Sequence, residues 1–450
     1  MINSFDPGRA SELPDREQAL VGRRQRLLGP AYRLFYEHPV HFVRGEGVWL
    51  YDADGAAYLD VYNNVPSVGH CHPRVVEAIA RQAGELNIHT RYLHAGILDY
   101  SEMLLATFPR ELSQVMYTCT GSEANDLAVR VAREFTGGTG FIVTRLAYHG
   151  VTDTVAGMSP SLGEHVVLGP HVRTVPAPGR AGAAAGAGAV ADGGGAGSEV
   201  ARAFANGVEA ALDDMARAGI KPAALLVDTI FSSDGVFADP AGFLQPAVDA
   251  VRRAGGLFIA DEVQPGFGRT GDAMWGFQRH ALVPDIVTLG KPMGNGYPVA
   301  AVVAKPEVLA PFGGRCRYFN TFAGNPVAMA AARAVLEIIG EERLRERALD
   351  TGEYLRSRLT ALADKFEMIG DVRGAGLFIG VELIAGRATR SPATRLTGEV
   401  VNELRRRRVL VSAAGPHANV LKIRPPLPFG RPEADLFLQA LDASLAHVQR

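Results

Sequence analysis

Lys291 follows a strand-like run, Asp285-Ile-Val-Thr-Leu-Gly290, and opens a Gly/Pro loop that ends at Pro298. An earlier strand-like run, Gly256-Leu-Phe-Ile-Ala260, ends in Asp261-Glu262-Val263-Gln264. An amine and a carboxylate thus stand where two successive strands finish, and open α/β sheets build their sites just outside the carboxyl ends of strands. An amine there can form a Schiff base with an aldehyde. A carboxylate there can keep a pyridine nitrogen protonated. These are the two groups that pyridoxal phosphate chemistry requires of a protein. A single loop lysine is ordinarily just a solvated one, so the reading depends on what else the chain supplies.

It supplies three further segments. Thr118-Cys-Thr-Gly-Ser-Glu-Ala-Asn125 puts Thr120, Gly121 and Ser122 between a strand and a helix. Unpaired N–H groups and the positive dipole end make that a phosphate seat; the same residues also suit an ordinary helix cap. Tyr148 and His149, in Ala147-Tyr-His-Gly150, follow a strand, and an aromatic ring there can stack on a planar cofactor or simply pack. Asn320-Thr321-Phe-Ala-Gly-Asn-Pro326 is a polar loop before a helix, suited to a second phosphate contact or a capped start. Arg373-Gly-Ala-Gly376 lacks the register of a phosphate loop and reads as a turn into a strand. Glu262 reads as structural. His70-Cys71-His72 is a local cluster and the histidines show no ligand spacing, so no metal is expected.

The elements that must position these groups alternate between strand and helix from about 98 to 320. Strands are predicted at 115–118, 139–144, 223–230, 256–260 and 285–290, with helices at 122–134, 199–218 and 242–254. Such βα alternation predicts a mostly parallel sheet, seven-stranded in type and covered on both faces. The strand Val299–Ala304 follows its predecessor after eight residues, too few for a helical crossover, so the two should pair antiparallel. Asp54-Gly55 predicts a hairpin near the N-terminus. The α/β fold is read as residues 1–64 and 326–450, forming a smaller α+β domain from both termini, beside a large domain at 65–325. The Ala/Gly tract from Ala181 to Gly197 reads as a flexible insertion.

At 450 residues, 47% apolar and 21% charged, the chain can bury a large core. A net charge of −2 with both signs scattered predicts neither a nucleic-acid footprint nor a polybasic membrane patch. No apolar run reaches about 18 residues, so no membrane-spanning helix is expected. Three dispersed cysteines and the absence of a secretory leader fit a reducing cytoplasmic location.

Together these segments resemble the class III aminotransferases, which are fold type I pyridoxal phosphate enzymes. The likeness rests on Gly121-Ser-Glu-Ala-Asn125, Tyr148-His-Gly150, Asp261-Glu-Val-Gln-Pro-Gly-Phe-Gly-Arg-Thr-Gly271, Leu289-Gly-Lys-Pro-Met-Gly-Asn-Gly-Tyr-Pro298, Asn320–Pro326 and Arg373–Phe378. The resemblance implies pyridoxal 5'-phosphate as cofactor, with Lys291 carrying it and then moving the Cα proton. Asp261 would pair with the ring nitrogen, Gln264 would reach the ring hydroxyl and Tyr148 would stack, with His149 beside it. Gly121 and Ser122 would hold the phosphate, joined by Thr321 from a partner subunit. A homodimer with shared sites follows, with assembly into tetramers left open. Its substrates would be a small primary amine and a keto acid.

Within the class, Asn63–Pro73, Arg91–His94 and Ser412–Pro426 resemble the ethanolamine-phosphate and hydroxylysine-phosphate phospho-lyase branch. Two reactions are therefore expected of the site: amino-group transfer to a keto acid, or elimination of phosphate and ammonia from an O-phosphorylated amine. The chain departs from amino-acid-using members by Lys422 in place of an arginine and Ser233 in place of a glutamate.

Overall fold

The computed structural model describes residues 2–179 and 196–449. Near the N-terminus three strands form a meander: β1 (Phe42–Glu46), β2 (Trp49–Asp52) and β3 (Ala57–Asp60). The Asp54-Gly55 turn joins β2 and β3 antiparallel, with Trp49 opposite Leu59.

The middle of the chain supplies β4 (Gln114–Thr118), β5 (Gly140–Thr144), β6 (Val172–Val175), β7 (Pro222–Asp228), β8 (Leu257–Asp261), β9 (Ile286–Leu289) and β10 (Ala300–Ala304). They make one seven-stranded sheet in the order β4-β10-β9-β8-β7-β5-β6. The run from β9 to β6 is parallel. β10 lies antiparallel between β9 and β4, as its short connection requires. Successive side chains of a strand point to opposite faces, and here they enter two separate cores. Leu225 and Val227 join one; Ala224 and Leu226 join the other, with the helix Gly121–Thr136. Burial on both faces is why these strands are continuous apolar runs.

The C-terminal part adds β11 (Ile369–Ala375), β12 (Phe378–Leu383), β13 (Val409–Leu410), β14 (Ser412–Ala414) and β15 (Val420–Ile423). Four of them form an antiparallel sheet, β11-β12-β15-β14. β13 pairs parallel with β3, so the two ends of the chain share a sheet.

Some elements escape the sequence patterns. β6 has only four residues, below the length at which alternation is readable. The helices Ala95–Leu105 and Pro306–Arg315 were also not predicted; the second carries Pro311 inside it. Residues 15–28, polar and Arg-rich, form the helix Asp15–Leu28. The Ala/Gly tract lies outside the described residues except for Ala196 and Gly197, where the helix Ala196–Arg217 begins.

Candidate active site

The carboxyl ends of β7, β8 and β9 converge with the start of the helix Gly121–Thr136 around a cavity of about 200 Å³. Gly121, Ser122, Tyr148, His149, Asp261, Gln264 and Lys291 all border it, so seven of the eight residues picked from the sequence are brought together. Thr321 is the exception. It is exposed and does not border the cavity of its own chain.

Asp261 ends β8 and is buried. Its Oδ2 accepts from Asn125 Nδ2 at 2.9 Å and from His149 Nδ1 at 2.7 Å, while Oδ1 accepts from the Val263 amide at 3.1 Å. Asn125 is itself fixed, with Thr288 Oγ1 donating to its Oδ1 at 2.7 Å. A carboxylate at Nδ1 selects the histidine tautomer that carries its proton there, and His149 Nε2 is left buried without a partner. The carboxylate is therefore oriented from two sides before any ligand arrives.

Lys291 lies just beyond β9 and is largely buried. Burial lowers its amine pKa, and the Arg424 charge lowers it further; Asp261 and Asp228 oppose both. A lowered amine pKa favours the neutral nucleophile that Schiff-base formation needs. The amine stands 5.7 Å from the centre of the Tyr148 ring.

At the helix start, Thr120 is the N-cap. Its hydroxyl accepts from Glu123 N at 3.1 Å, and Glu123 Oε2 accepts from Cys119 N and Thr120 N at 2.7 and 3.1 Å. Capping consumes Thr120, so Gly121 and Ser122 are the residues left facing the cavity with helix N-terminal amides. Ser122 Oγ accepts from Val151 N at 3.1 Å. Gly150 closes this corner at φ 141°, and a Cβ there would stand 2.6 Å from Ser122 Oγ. These features fit a phosphate seat beside a planar ring: helix-end donors, close-packed glycines, an oriented carboxylate and a buried neutral-leaning amine.

Sequence reasoning missed Asn125 and Asp228 as cavity-lining residues. Asp228 ends β7 opposite Asp261 in register, the same strand-end position that drew attention to Asp261. It also missed Arg424, whose Nη1 donates to Gln264 Oε1 at 2.7 Å and to Asn64 Oδ1 at 2.8 Å. Lys422 is buried too, and its amine pKa is pushed well down, chiefly by burial and then by the Arg424 charge. Glu262 is structural as expected: its carboxylate accepts from Thr229 Oγ1, Gly276 N and Phe277 N, and burial pushes its pKa up to about 8. Among the described residues no cluster of three or more His, Cys, Asp or Glu could hold a metal, and no helix is long and apolar enough to cross a membrane.

A mixed sheet with an amine and a carboxylate at neighbouring strand ends, and a phosphate seat at a helix start, defines a fold type I pyridoxal phosphate enzyme. Residues 35–445 match the family described as aminotransferase class-III, and the chain belongs to that family, whose members use pyridoxal phosphate with small amine and keto acid substrates. It is 40% identical to an alanine–glyoxylate aminotransferase 2-like protein of Drosophila melanogaster, over 98% of this chain and 89% of that protein. It is 37% identical to ethanolamine-phosphate phospho-lyase homolog 1 of Caenorhabditis elegans, over 96% and 94%. A solved phospholyase from Arthrobacter, in complex with phosphoethanolamine, superposes with a TM-score of 0.90 at 45% identity, covering 95% of this chain and 99% of that one.

Proposed function

We propose that the chain eliminates phosphate and ammonia from a short O-phosphorylated primary amine of the phosphoethanolamine kind. The observation that carries this is the pair of buried basic side chains near Lys291, Lys422 on β15 and Arg424 just after it; the Arg424 charge lowers the Lys291 amine pKa, and the Lys291 charge lowers that of Lys422. Amino-acid-using members grip a carboxylate bidentately with an arginine where this chain has Lys422. A lysine is a point charge, which suits a phosphate better than a planar carboxylate. The 45% identical phospholyase supports the same reading.

Bound pyridoxal phosphate supplies an electron sink at the substrate Cα. Gly121 and Ser122 would hold its phosphate, Tyr148 would cover the ring, Gln264 would meet the ring oxygen, and Asp261, oriented by His149 and Asn125, would keep the ring nitrogen protonated. Lys291 would anchor the cofactor and, freed by the substrate amine, would take the Cα proton. The Cβ–O bond would then break, with its electron pair leaving on phosphate. Water completes the balance: nitrogen leaves as ammonia and the carbon skeleton as an aldehyde. Thr321 is supplied by a second copy of the chain. Its exposure, and that of Phe322, Tyr92 and Leu93, supports a homodimer. Three unpaired cysteines support a cytoplasmic location.

Amino-group transfer is the second reading, supported by the family itself and by the alanine–glyoxylate aminotransferase-like relative. It uses the same Lys291 and Asp261 and ends with the nitrogen on a keto acid. Mixing the holoenzyme with phosphoethanolamine in the absence of any keto acid separates the two. Free phosphate released over many turnovers supports elimination. No phosphate, with amino transfer from alanine that depends on added keto acid, supports the second reading.

A further inference from the structure

The Gln264 amide borders the cavity, and its orientation is dictated by a residue far away in sequence. An arginine can only donate hydrogen bonds, so the atom within 2.7 Å of Arg424 Nη1 must be the amide oxygen. The other Nη1 hydrogen fixes Asn64 in the same way, at 2.8 Å. Arg424, Asn64 and Gln264 are each at least nine-tenths buried, and the guanidinium is packed over the Tyr62 ring, 4.4 Å from its centre. The backbone amide of Arg424 donates to Val61 O at 3.0 Å. One guanidinium thus ties together the loop after β3, the loop after β8 and the end of β15. Its hold overrides local satisfaction, because Asn64 Nδ2 is left buried without an acceptor.

We propose that Arg424 is a positioning residue that locks the Gln264 amide with only its N–H groups toward the cavity, so that the site holds the ring oxygen of bound pyridoxal phosphate as an anion. A freely turning amide presents oxygen or nitrogen with equal ease and accommodates either a hydroxyl or an oxyanion. A locked one offers donors alone, and donors stabilise the oxyanion. The charged groups around this space are Lys291, Lys422, Arg269, Asp228, Asp234 and Asp261. The locking of Gln264 is independent of whether elimination or transfer follows, since both begin from the same bound cofactor.

The test is a pH titration of the visible absorption band of the cofactor-loaded protein, with the cofactor dissociation constant measured alongside. Extra donors on the ring oxygen lower the midpoint of that titration. Arg424→Met should raise it by about one pH unit, the scale of one hydrogen bond to a charged group, and weaken cofactor binding about tenfold. Arg424→Lys, which keeps a donor and a charge, should recover most of both. Gln264→Leu leaves Arg424 in place and removes only the donor, so it should reproduce the midpoint shift even if Arg424→Met folds poorly. An unchanged midpoint in Gln264→Leu overturns the proposal. So does Arg424→Met that melts earlier but titrates like the wild type, which would make the arginine merely structural.

Discussion

Asp228 and Asp261 face each other as register partners at the last positions of β7 and β8. The two carboxylates are held very differently. Asp261 is anchored by two side chains, His149 and Asn125. Asp228 accepts from the backbone amides of Ile230 and Ser232, each at 3.1 Å. Burial raises the pKa of Asp228, and the neighbouring Asp261 charge raises it further. The two neighbouring carboxylates are therefore placed for different work, Asp261 held by side chains at the ring-nitrogen position and Asp228 not. Asp261→Asn should therefore cost about 10³-fold in kcat, on the scale of losing a group that acts on the reacting system. Asp228→Asn should stay within about tenfold, on the scale of one hydrogen bond. Steady-state rates of the two variants decide it, and equal losses would refute the division.

Much of this was legible because the chemistry lies at strand ends. Lys291 and Asp261 each close a run of buried apolar residues, and the sheet places such ends side by side. Tyr148 and the Thr120–Ser122 turn follow strands in the same way. What stayed hidden depends on contacts between distant segments. Gln264 and Arg424 are far apart in sequence and sit on different sheets' margins, and nothing local to Arg424 distinguishes it from the arginines around it. Thr321 is the converse: its motif is readable, yet one chain does not bring it to the cavity. The four-residue β6 failed for a simpler reason, since two buried residues in four carry no period.

Gly150 sets the width of the phosphate corner. Its φ of 141° lies outside the range that side-chain-bearing residues favour, and an added Cβ would stand 2.7 Å from Ser122 Cα, a backbone atom that cannot swing away. Gly150→Ala should displace Ser122 and weaken pyridoxal phosphate binding at least about tenfold, the equivalent of one lost hydrogen bond. Equilibrium dialysis against the cofactor measures it. Wild-type affinity in the variant would mean that Ser122 takes no part in holding the phosphate.

His280 makes the fold sensitive to acid. Its ring is buried; Nδ1 lies 3.2 Å from the Gly242 amide that donates to it, and Nε2 lies 3.0 Å from Thr229 O. Only the neutral ring with its proton on Nε2 satisfies both. Burial accordingly lowers its pKa from 6.5 to about 4. A depressed folded-state pKa means that the unfolded chain takes up the proton first. Stability is whole above pH 6.5 and is withdrawn as pH falls toward 4, by up to about 3 kcal/mol. Melting temperatures of wild type and His280→Gln, compared from pH 7 to 4.5, should converge as pH falls. Parallel curves would show that His280 does not carry the effect.

On the proposed elimination, Lys422 is the residue that would recognise the substrate phosphate. It sits on β15 opposite Ser412 and Gly380; its amine lies 5.5 Å from the centre of the Phe378 ring and has no hydrogen-bonded partner among the described residues. Asp228 and Asp234 favour its charge, while Arg424 and Lys291 disfavour it. Burial and the neighbouring cations disfavour its charged form, and an incoming phosphate would favour that form where a neutral amine would not. Lys422→Met should reduce kcat/KM for phosphoethanolamine by at least about 30-fold, the lower end for removing one partner of a buried charge pair. The loss should appear mainly in KM, because the lysine grips the substrate rather than the reacting atoms. Simple amines without a phosphate should lose far less. Phosphate release assayed against substrate concentration gives the first number, and the rate of spectral change with a neutral amine gives the second. Equal losses for both substrates would assign Lys422 to the fold of the site instead of to recognition of the anion.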